Sequence, residues 1–185
     1  MEQKLNEILR ENEKILWSGK SEFKALGATH KNVYAAKCAV VAAVVIAFLA
    51  YYFMGVKEGT ITFKAMVLVL TAVVAAVPLV LEWVDVSKMK KTVYAMTDSR
   101  MISVVDGAVN SVEYAQVDEY KFVEDADGQV SLMCGSNMMK KGPRTCRTNA
   151  VFGLRMNATG SACERFVLYA IPEADEVKKL AAKLL

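Results

Sequence analysis

The chain has 185 residues, of which 54% are hydrophobic and 23% charged, with a formal net charge of +3. Soluble domains average roughly 45–50% apolar residues, so this composition argues against an ordinary soluble protein. From residue 88 onward there are 14 basic and 12 acidic residues, which argues against a basic, nucleic-acid-binding domain.

Residues 1–32 are predicted to form an N-terminal cytoplasmic amphipathic segment. Apolar residues recur near helical spacing with charges between them, at Leu5, Ile8, Leu9, Ile15 and Leu16. This pattern predicts a short amphipathic helix, followed by a glycine turn between Trp17 and Phe23. Such a helix can lie on a membrane surface or pack on the C-terminal domain. Its mixed charges favour packing, because surface-bound helices are usually basic on the polar face.

Two uncharged apolar runs follow, at residues 38–56 and 65–81. A membrane-spanning helix needs about 20 mostly apolar residues, so the runs predict a transmembrane hairpin over residues 33–84, with helices at about 33–56 and 61–84. The alternative is a pair of helices buried in a soluble core. The rest of the chain is too short to enclose two helices that are apolar on every side.

The distribution of positive charge predicts the orientation of this hairpin. The loop between the two spans is flanked by Lys57 and Lys64, whereas a further cluster follows the second span and the first is preceded by Lys20, Lys24, Lys31 and Lys37. By the positive-inside rule, both termini lie in the cytoplasm and the protein is integral to a plasma membrane. Three cysteines at irregular spacing remain outside the spans, which is no disulfide framework.

Residues 88–185 are predicted to form one small β domain. Seven strand-like runs are separated by turn signals, with Asp-Gly pairs at 106–107 and 127–128 that suit two-residue type I′ turns. The runs are residues 92–97, 101–105, 109–114, 117–123, 129–134, 151–156 and 163–171. An amphipathic helix at 172–185 has acids at its start, bases at its end and one apolar stripe. The fold class is therefore α+β, with an antiparallel β-barrel or sandwich capped by a helix.

Four segments, in order, resemble bacterial membrane proteins that carry a pleckstrin-homology-like domain after a two-helix membrane hairpin. They are ENEKILWSGK at 11–20, YAMTDSRMI at 94–102, DADGQVSLMCG at 125–135 and VFGLRM at 151–156. The resemblance covers nearly the whole chain. It implies a seven-stranded barrel with a C-terminal helix, and it implies no catalytic residues.

The sequence predicts no enzyme, no cofactor and no metal site. Phosphate-binding, nucleophile-elbow and zinc-protease motifs are absent, and the single histidine, His30, is separated from the β domain by the hairpin. The acid pairs at 118–119 and 125–127 are paired-carboxylate candidates, but acids in hairpin turns usually form the turn itself. Cysteine spacings of 11 and 16 residues do not match a zinc site.

Two binding functions remain open. The first is a non-catalytic scaffold at the cytoplasmic membrane face, which presents a sheet edge to a protein partner or associates with copies of itself. The second is an anionic-lipid headgroup reader that uses the basic loop at residues 138–147. Its four cations are Lys140, Lys141, Arg144 and Arg147. A solvated loop is the simpler alternative, while nucleic acid is disfavoured because no aromatic residue interleaves with these cations.

Overall fold

The computed structural model divides the chain into two compact units. The hairpin unit is Leu26–Val86, and the sheet unit combines Met1–Ala25 with Ser87–Leu185. The sheet unit is therefore discontinuous in sequence, with the hairpin unit inserted into it. The structure describes residues 5, 7–24, 28–142, 146, 150 and 162–185, without the side chains of residues 28–30, 82 and 85.

Two long apolar helices make up most of the hairpin unit. Helix α1 is Ala28–Lys57, and helix α2 is Ala65–Lys90, whose last residues belong to the sheet unit. Both are long and apolar enough to cross a membrane. Only 6% of the most apolar window of α1, and none of that of α2, is buried inside the protein. This exposure is the opposite of what a pair of soluble core helices requires.

An aromatic cluster closes the turn between the two helices. The hydroxyl of Tyr52 accepts a hydrogen bond from the Lys64 amide at 2.7 Å. The Tyr52 ring is 5% exposed and lies near the rings of Phe48, Phe53 and Phe63. The buried Tyr52 side chain therefore fixes the hairpin turn.

Sheet A is antiparallel with strand order β1–β2–β3–β4. Its strands are β1 Ile15–Lys20, β2 Val93–Thr97, β3 Arg100–Val105 and β4 Ala108–Glu113. Between β3 and β4, Asp106 and Gly107 both have positive φ, at 49° and 87°. Val105 pairs with Ala108 across this turn, which confirms the predicted two-residue connection.

Sheet B is antiparallel with strand order β5–β6–β7, and helix α3 follows it. Its elements are β5 Tyr120–Glu124, β6 Val130–Cys134, β7 Phe166–Leu168 and α3 Ala174–Leu184. The predicted two-residue turn at Asp127–Gly128 is wrong. Asp125 N–H donates to the Gln129 carbonyl, and only Gly128 has positive φ in this loop, so the connection has three central residues.

Apolar clusters cover both faces of both sheets. Tyr94 and Met96 of β2 join a central cluster that sheet A shares with sheet B and α3, whereas Val93 and Ala95 contact Leu5 on the opposite face. This alternation follows from the two-residue period of a strand. The central cluster includes Trp17, Met101, Leu132, Phe166, Leu168, Val177 and Ala181. A third cluster, on the other face of sheet B, includes Met89, Met133, Met138, Val167 and Tyr169.

Strand β1 corrects the prediction of a helix and a turn for residues 5–23. Ile15 and Leu16 fit helical spacing in the sequence, but Ile15–Lys20 pairs with β2 instead. Trp17 fills the central cluster, and a β-carbon on Gly19 would clash with Pro172 and with the Trp17 ring. Leu5 is buried on sheet A, so the N-terminal segment packs on the sheet as its mixed charges favoured.

The prediction of a closed barrel is wrong for the part of the chain that the structure describes. Sheet A ends at β4 and sheet B ends at β5, and a short 3₁₀ turn at Tyr114–Gln116 lies between them. Apolar clusters cover the faces of the two sheets, and the described strands do not close into a barrel. The described residues contain seven strands, but β1 was not among the predicted seven. The strand predicted at 117–123 is observed as β5 at Tyr120–Glu124, and the one predicted at 163–171 is shortened to β7. The run at 151–156 lies outside the described residues.

Candidate functional site

The predicted lipid-binding loop is partly described. Lys140 and Lys141 are exposed, just after a 3₁₀ turn at Ser136–Met138. Arg144 and Arg147 lie outside the described residues. Met138 is 1% exposed and belongs to the cluster on sheet B, so the base of the loop is anchored while its lysines remain accessible.

Lys121 on β5 supports this loop from the neighbouring strand. Its ammonium donates hydrogen bonds to the Met139 carbonyl and, at 2.8 Å, to the Lys141 carbonyl. The loop backbone is therefore held while the side chains of Lys140 and Lys141 stay in solvent. Sequence reasoning missed this role because nothing in the local sequence links Lys121 to a loop about twenty residues away.

Strands β4 and β5 lie at the edges of the two sheets. The alternation of hydrogen bonds along each strand shows which of its backbone groups face away from the neighbouring strand. In β4, Tyr114 N–H donates to the Ser99 carbonyl, and hydrogen-bonded residues alternate with outward-facing ones along an antiparallel strand. The residues at odd positions, Val109, Ser111 and Glu113, therefore direct their backbone groups away from β3. Glu113 N–H is satisfied by the Gln116 side chain. Exposed edges of this kind are where extended segments add to a sheet.

A buried ion pair joins the N-terminal segment to the β2–β3 turn. Arg100 Nε and Nη2 donate to Glu13 Oε1 and Oε2 at 2.8 and 2.9 Å. The side chains are 9% and 2% exposed respectively. Thr97 and Ser99 hydroxyls also donate to the carboxylate, at 2.7 and 3.0 Å, and Arg100 Nη2 donates to the Ile8 carbonyl. The bidentate pair is therefore enclosed in a hydrogen-bonded network.

This network joins two of the segments that carry the family resemblance. Glu13 lies in ENEKILWSGK, and Thr97, Ser99 and Arg100 lie in YAMTDSRMI. The first segment was predicted to be helical and the second to form two strands and their turn, and their contact was not predicted. The Arg100 guanidinium beside Glu13 holds the pKa of that carboxyl well below its usual range, although burial acts in the opposite direction.

No family model, no curated protein and no solved structure matches this chain. The pleckstrin-homology-like resemblance therefore stays a prediction.

The cysteines outside the spans are buried thiols. Burial raises the pKa of Cys146 to about 12 and that of Cys163 to about 11, and it raises the pKa of Cys134 well above its usual range. Thiols with such pKa values carry almost no thiolate at neutral pH, so they are poor nucleophiles and poor metal ligands. Among the described residues, no group of three or more histidine, cysteine or acidic side chains is placed to hold a metal ion.

The acid pair at 125–127 forms a turn. Asp125 Oδ1 accepts hydrogen bonds from the backbone amides of Asp127 and Gln129 at 2.9 and 3.0 Å. This arrangement is the usual use of aspartate in a hairpin loop. By contrast, Asp118 and Glu119 are exposed at the start of β5. They add negative charge beside an open strand edge.

Proposed function

We propose that this chain is a non-catalytic, membrane-anchored protein whose sheet unit serves as a protein-interaction or assembly scaffold at the cytoplasmic membrane face. The observation that carries the proposal is the insertion of the hairpin unit between β1 and β2, which are neighbours in sheet A. The hairpin unit is therefore joined to paired strands at both ends through short segments, residues 21–25 and 87–92. In this proposal, α1 and α2 anchor the sheet unit to the bilayer.

A pleckstrin-homology-like fold for the sheet unit is part of this proposal. The resemblance implies seven antiparallel strands followed by a C-terminal helix, and the described residues form four and three such strands before α3, with β1 contributed from before the hairpin. Val177 and Ala181 of α3 are fully buried in the cluster that contains residues of both sheets. These features support the fold, with the difference that the described strands leave the two sheets unjoined.

The proposal of a non-catalytic role rests on the state of the reactive groups. The three thiols of the sheet unit are buried with raised pKa values, and Asp125 is used in a turn. The most strongly perturbed carboxyl, Glu13, is fully engaged by Arg100 and two hydroxyls. A general acid or base needs a titratable group free to exchange a proton with substrate, and Glu13 is enclosed.

The alternative proposal is an anionic-lipid headgroup reader at the loop 138–147. It is favoured by the way Lys121 fixes the loop carbonyls while Lys140 and Lys141 remain exposed. Each cation near an anionic surface contributes about 1 kcal/mol, and salt screens this attraction. With Arg144 and Arg147 included, the loop would add a second, weaker membrane contact to the two helices.

One experiment separates these proposals in intact membranes. A photo-crosslinking amino acid is placed in the full-length chain at Val109 or Tyr120, on the two open edges, or at Lys140, on the loop. The scaffold proposal predicts discrete protein adducts from an edge position and none from the membrane-embedded control position Val74. Only lipid adducts at Lys140, lost when the other loop cations become glutamine, would support the lipid reader instead. An absence of protein adducts from both edges would contradict the scaffold.

We also propose that both termini are cytoplasmic, and this orientation is testable by cysteine labelling. The native cysteines of the sheet unit are buried, so their lack of labelling would not report on topology. In a Cys38→Ser background, Glu58→Cys in the exposed hairpin turn should react with an impermeant maleimide in intact cells. Lys179→Cys, exposed on α3, should react only after permeabilisation. The reverse pattern would overturn the orientation.

A further inference from the structure

Among the strands that the structure describes, β5 lies at the edge of sheet B, with one side unpaired. Asp125 N–H donates to the Gln129 carbonyl, and Gly135 N–H donates to the Glu119 carbonyl. These two bonds lie in register with the β5–β6 pairing, so the odd-numbered residues face β6. The backbone groups of Tyr120, Phe122 and Glu124 therefore point away from the sheet. No residue in the described part of the chain forms a hydrogen bond with them.

The other edges are less suited to receive a strand. β1 has a bulge between Ile15 and Trp17, which interrupts its hydrogen-bonding repeat. β4 already uses its Glu113 amide to bind the Gln116 side chain. β7 has only three residues. Among the described strands, β5 thus combines a useful length, an uninterrupted repeat and a complete set of open groups.

Side chains beside the β5 edge provide an apolar surface for an added strand. The Tyr120 ring is 36% exposed, and its centroid lies 6.2 Å from that of Phe122 in an edge-to-face arrangement. Phe122 also packs against the central cluster, which fixes its position. Residues of an incoming strand on that face would contact these two rings, and cross-strand pairs with aromatic residues stabilise sheets.

The charge along this edge selects the ligand. Asp118, Glu119 and Glu124 are exposed, against one cation on the strand, Lys121. The Lys121 ammonium is already bound to the Met139 and Lys141 carbonyls within the chain. These three carboxylates outnumber the two exposed lysines, Lys140 and Lys141, of the loop that Lys121 binds, so the edge favours a cationic segment over an acidic one.

The same charges disfavour a second copy of this chain on the edge. Antiparallel pairing of two β5 strands about Phe122 would place Glu119 opposite Asp125 of the second copy, twice in a symmetric dimer. Like charges that face each other across strands destabilise pairing. Charge complementarity therefore points to a different protein that supplies lysine or arginine.

We propose that the β5 edge binds an extended, basic peptide segment of a partner protein as an added β-strand. This inference rests on the proposed scaffold function and specifies its contact. The backbone of Tyr120, Phe122 and Glu124 supplies the hydrogen bonds. The rings of Tyr120 and Phe122 contact apolar residues of the segment, while Asp118, Glu119 and Glu124 pair with its cations.

The test uses the full-length protein in nanodiscs of neutral phosphatidylcholine, so that a basic probe has no anionic lipid to bind. The probe is a fluorescein-labelled seven-residue peptide, Lys-Val-Lys-Phe-Lys-Val-Lys, followed by anisotropy. We expect saturable binding that weakens as salt rises. The control peptide has every backbone nitrogen methylated, which keeps the charges and side chains but removes the donors. Its binding should be at least tenfold weaker.

Matched proline variants test the edge itself. Tyr120→Pro and Val109→Pro each remove one outward-facing N–H from an edge strand without touching the ladder within the sheet. We expect at least tenfold weaker peptide binding for Tyr120→Pro and no change for Val109→Pro. Tyr120→Ala, which keeps the N–H but loses the ring, should be intermediate. Thermal melting of each variant in nanodiscs shows whether the fold is retained.

Three outcomes would overturn the inference. They are equal binding of the methylated peptide, equal effects of the two proline variants, and a change of oligomeric state in Tyr120→Pro without peptide binding. The last outcome would make β5 a contact between copies. The scaffold proposal can also hold while this inference fails. In that case, a full-length Tyr120→Pro chain with the crosslinking amino acid at Val109 would still form protein adducts. If the chain without the proline substitution forms no protein adducts from either edge, the scaffold proposal itself is contradicted.

Discussion

A chain cut to residues 88–185, the domain marked by the sequence, is expected not to fold. It lacks β1 and with it Trp17, which is 5% exposed in the central cluster. Losing a buried tryptophan costs about 3–5 kcal/mol. It also lacks Glu13, which leaves the Arg100 guanidinium buried without its partner, at a further cost of about 3–5 kcal/mol. Domains of this size have about 5–15 kcal/mol in total.

A rearranged chain in which the hairpin is bypassed is expected to fold. Residues 1–24 are joined to residues 87–185 through about eight glycine and serine residues. This keeps Ser21, whose amide donates to the Thr92 carbonyl, and Met89, which is fully buried. The measurement is circular dichroism and chemical denaturation of both purified chains. A cooperative transition for residues 88–185 as stable as that of the rearranged chain would contradict the discontinuous sheet unit.

Replacing Arg100, the partner of Glu13, is expected to lower the free energy of unfolding more than any other single substitution at the surface of sheet A. Arg100→Ala leaves a carboxylate with a 2% exposed side chain and no cation beside it. Breaking one side of a buried ion pair costs about 3–5 kcal/mol, because the remaining charge stays desolvated. Denaturant unfolding of the rearranged chain measures this loss.

The chain offers a matched control in a second arginine–glutamate pair. Arg10 Nη2 lies 2.7 Å from Glu113 Oε1, but the two side chains are 56% and 45% exposed. Exposed pairs contribute about 0–1 kcal/mol, so Arg10→Ala should be nearly neutral. The double variant Glu13→Leu with Arg100→Met should regain most of the stability lost in Arg100→Ala, because no buried charge is left unpaired. Equal losses for Arg100→Ala and Arg10→Ala would contradict the buried network.

The same pair makes the folded state sensitive to acid. The folded pKa of Glu13 lies below its value in the unfolded chain, so the unfolded state takes up the proton first as pH falls. The stabilisation is therefore fully present above about pH 5 and is lost progressively below the unfolded value of about 4.3. Wild type should lose more stability between about pH 6 and 3 than the Glu13→Leu/Arg100→Met variant. Parallel curves for the two chains would show that Glu13 titrates normally.

Local signals in the sequence predicted the parts of the fold that depend on local interactions. The spans follow from bilayer thickness, since only long apolar helices satisfy their backbone in lipid. The β3–β4 turn follows from Asp106–Gly107, since a type I′ turn needs positive φ at both positions. Exposed lysines at 140 and 141 were predicted from charge density alone.

Long-range partners explain what the sequence did not show. β1 has its pairing partner on the far side of the hairpin unit, so its residues gave only a weak helical pattern. The Glu13–Arg100 network joins two separate turns, and Lys121 holds a loop from another strand. The barrel was predicted because several short strands separated by turns commonly close on themselves, and nothing in the sequence shows that Met89 covers the outer face of sheet B.

The central claim is that β1 and β2 are paired neighbours although the whole hairpin unit lies between them in the chain. Cross-strand cysteines test it directly in native membranes. Lys20 pairs with Val93 in a register that places them at a non-hydrogen-bonded site, where side chains lie closest. Ser18 pairs with Ala95, so Ser18 and Val93 are diagonal neighbours about 7–8 Å apart, too far for a disulfide. Mild oxidation should therefore crosslink Lys20→Cys/Val93→Cys, detected as a gel-mobility shift that a reductant reverses, and leave Ser18→Cys/Val93→Cys unlinked. Equal crosslinking of the two pairs, or none in the first, would contradict the claim.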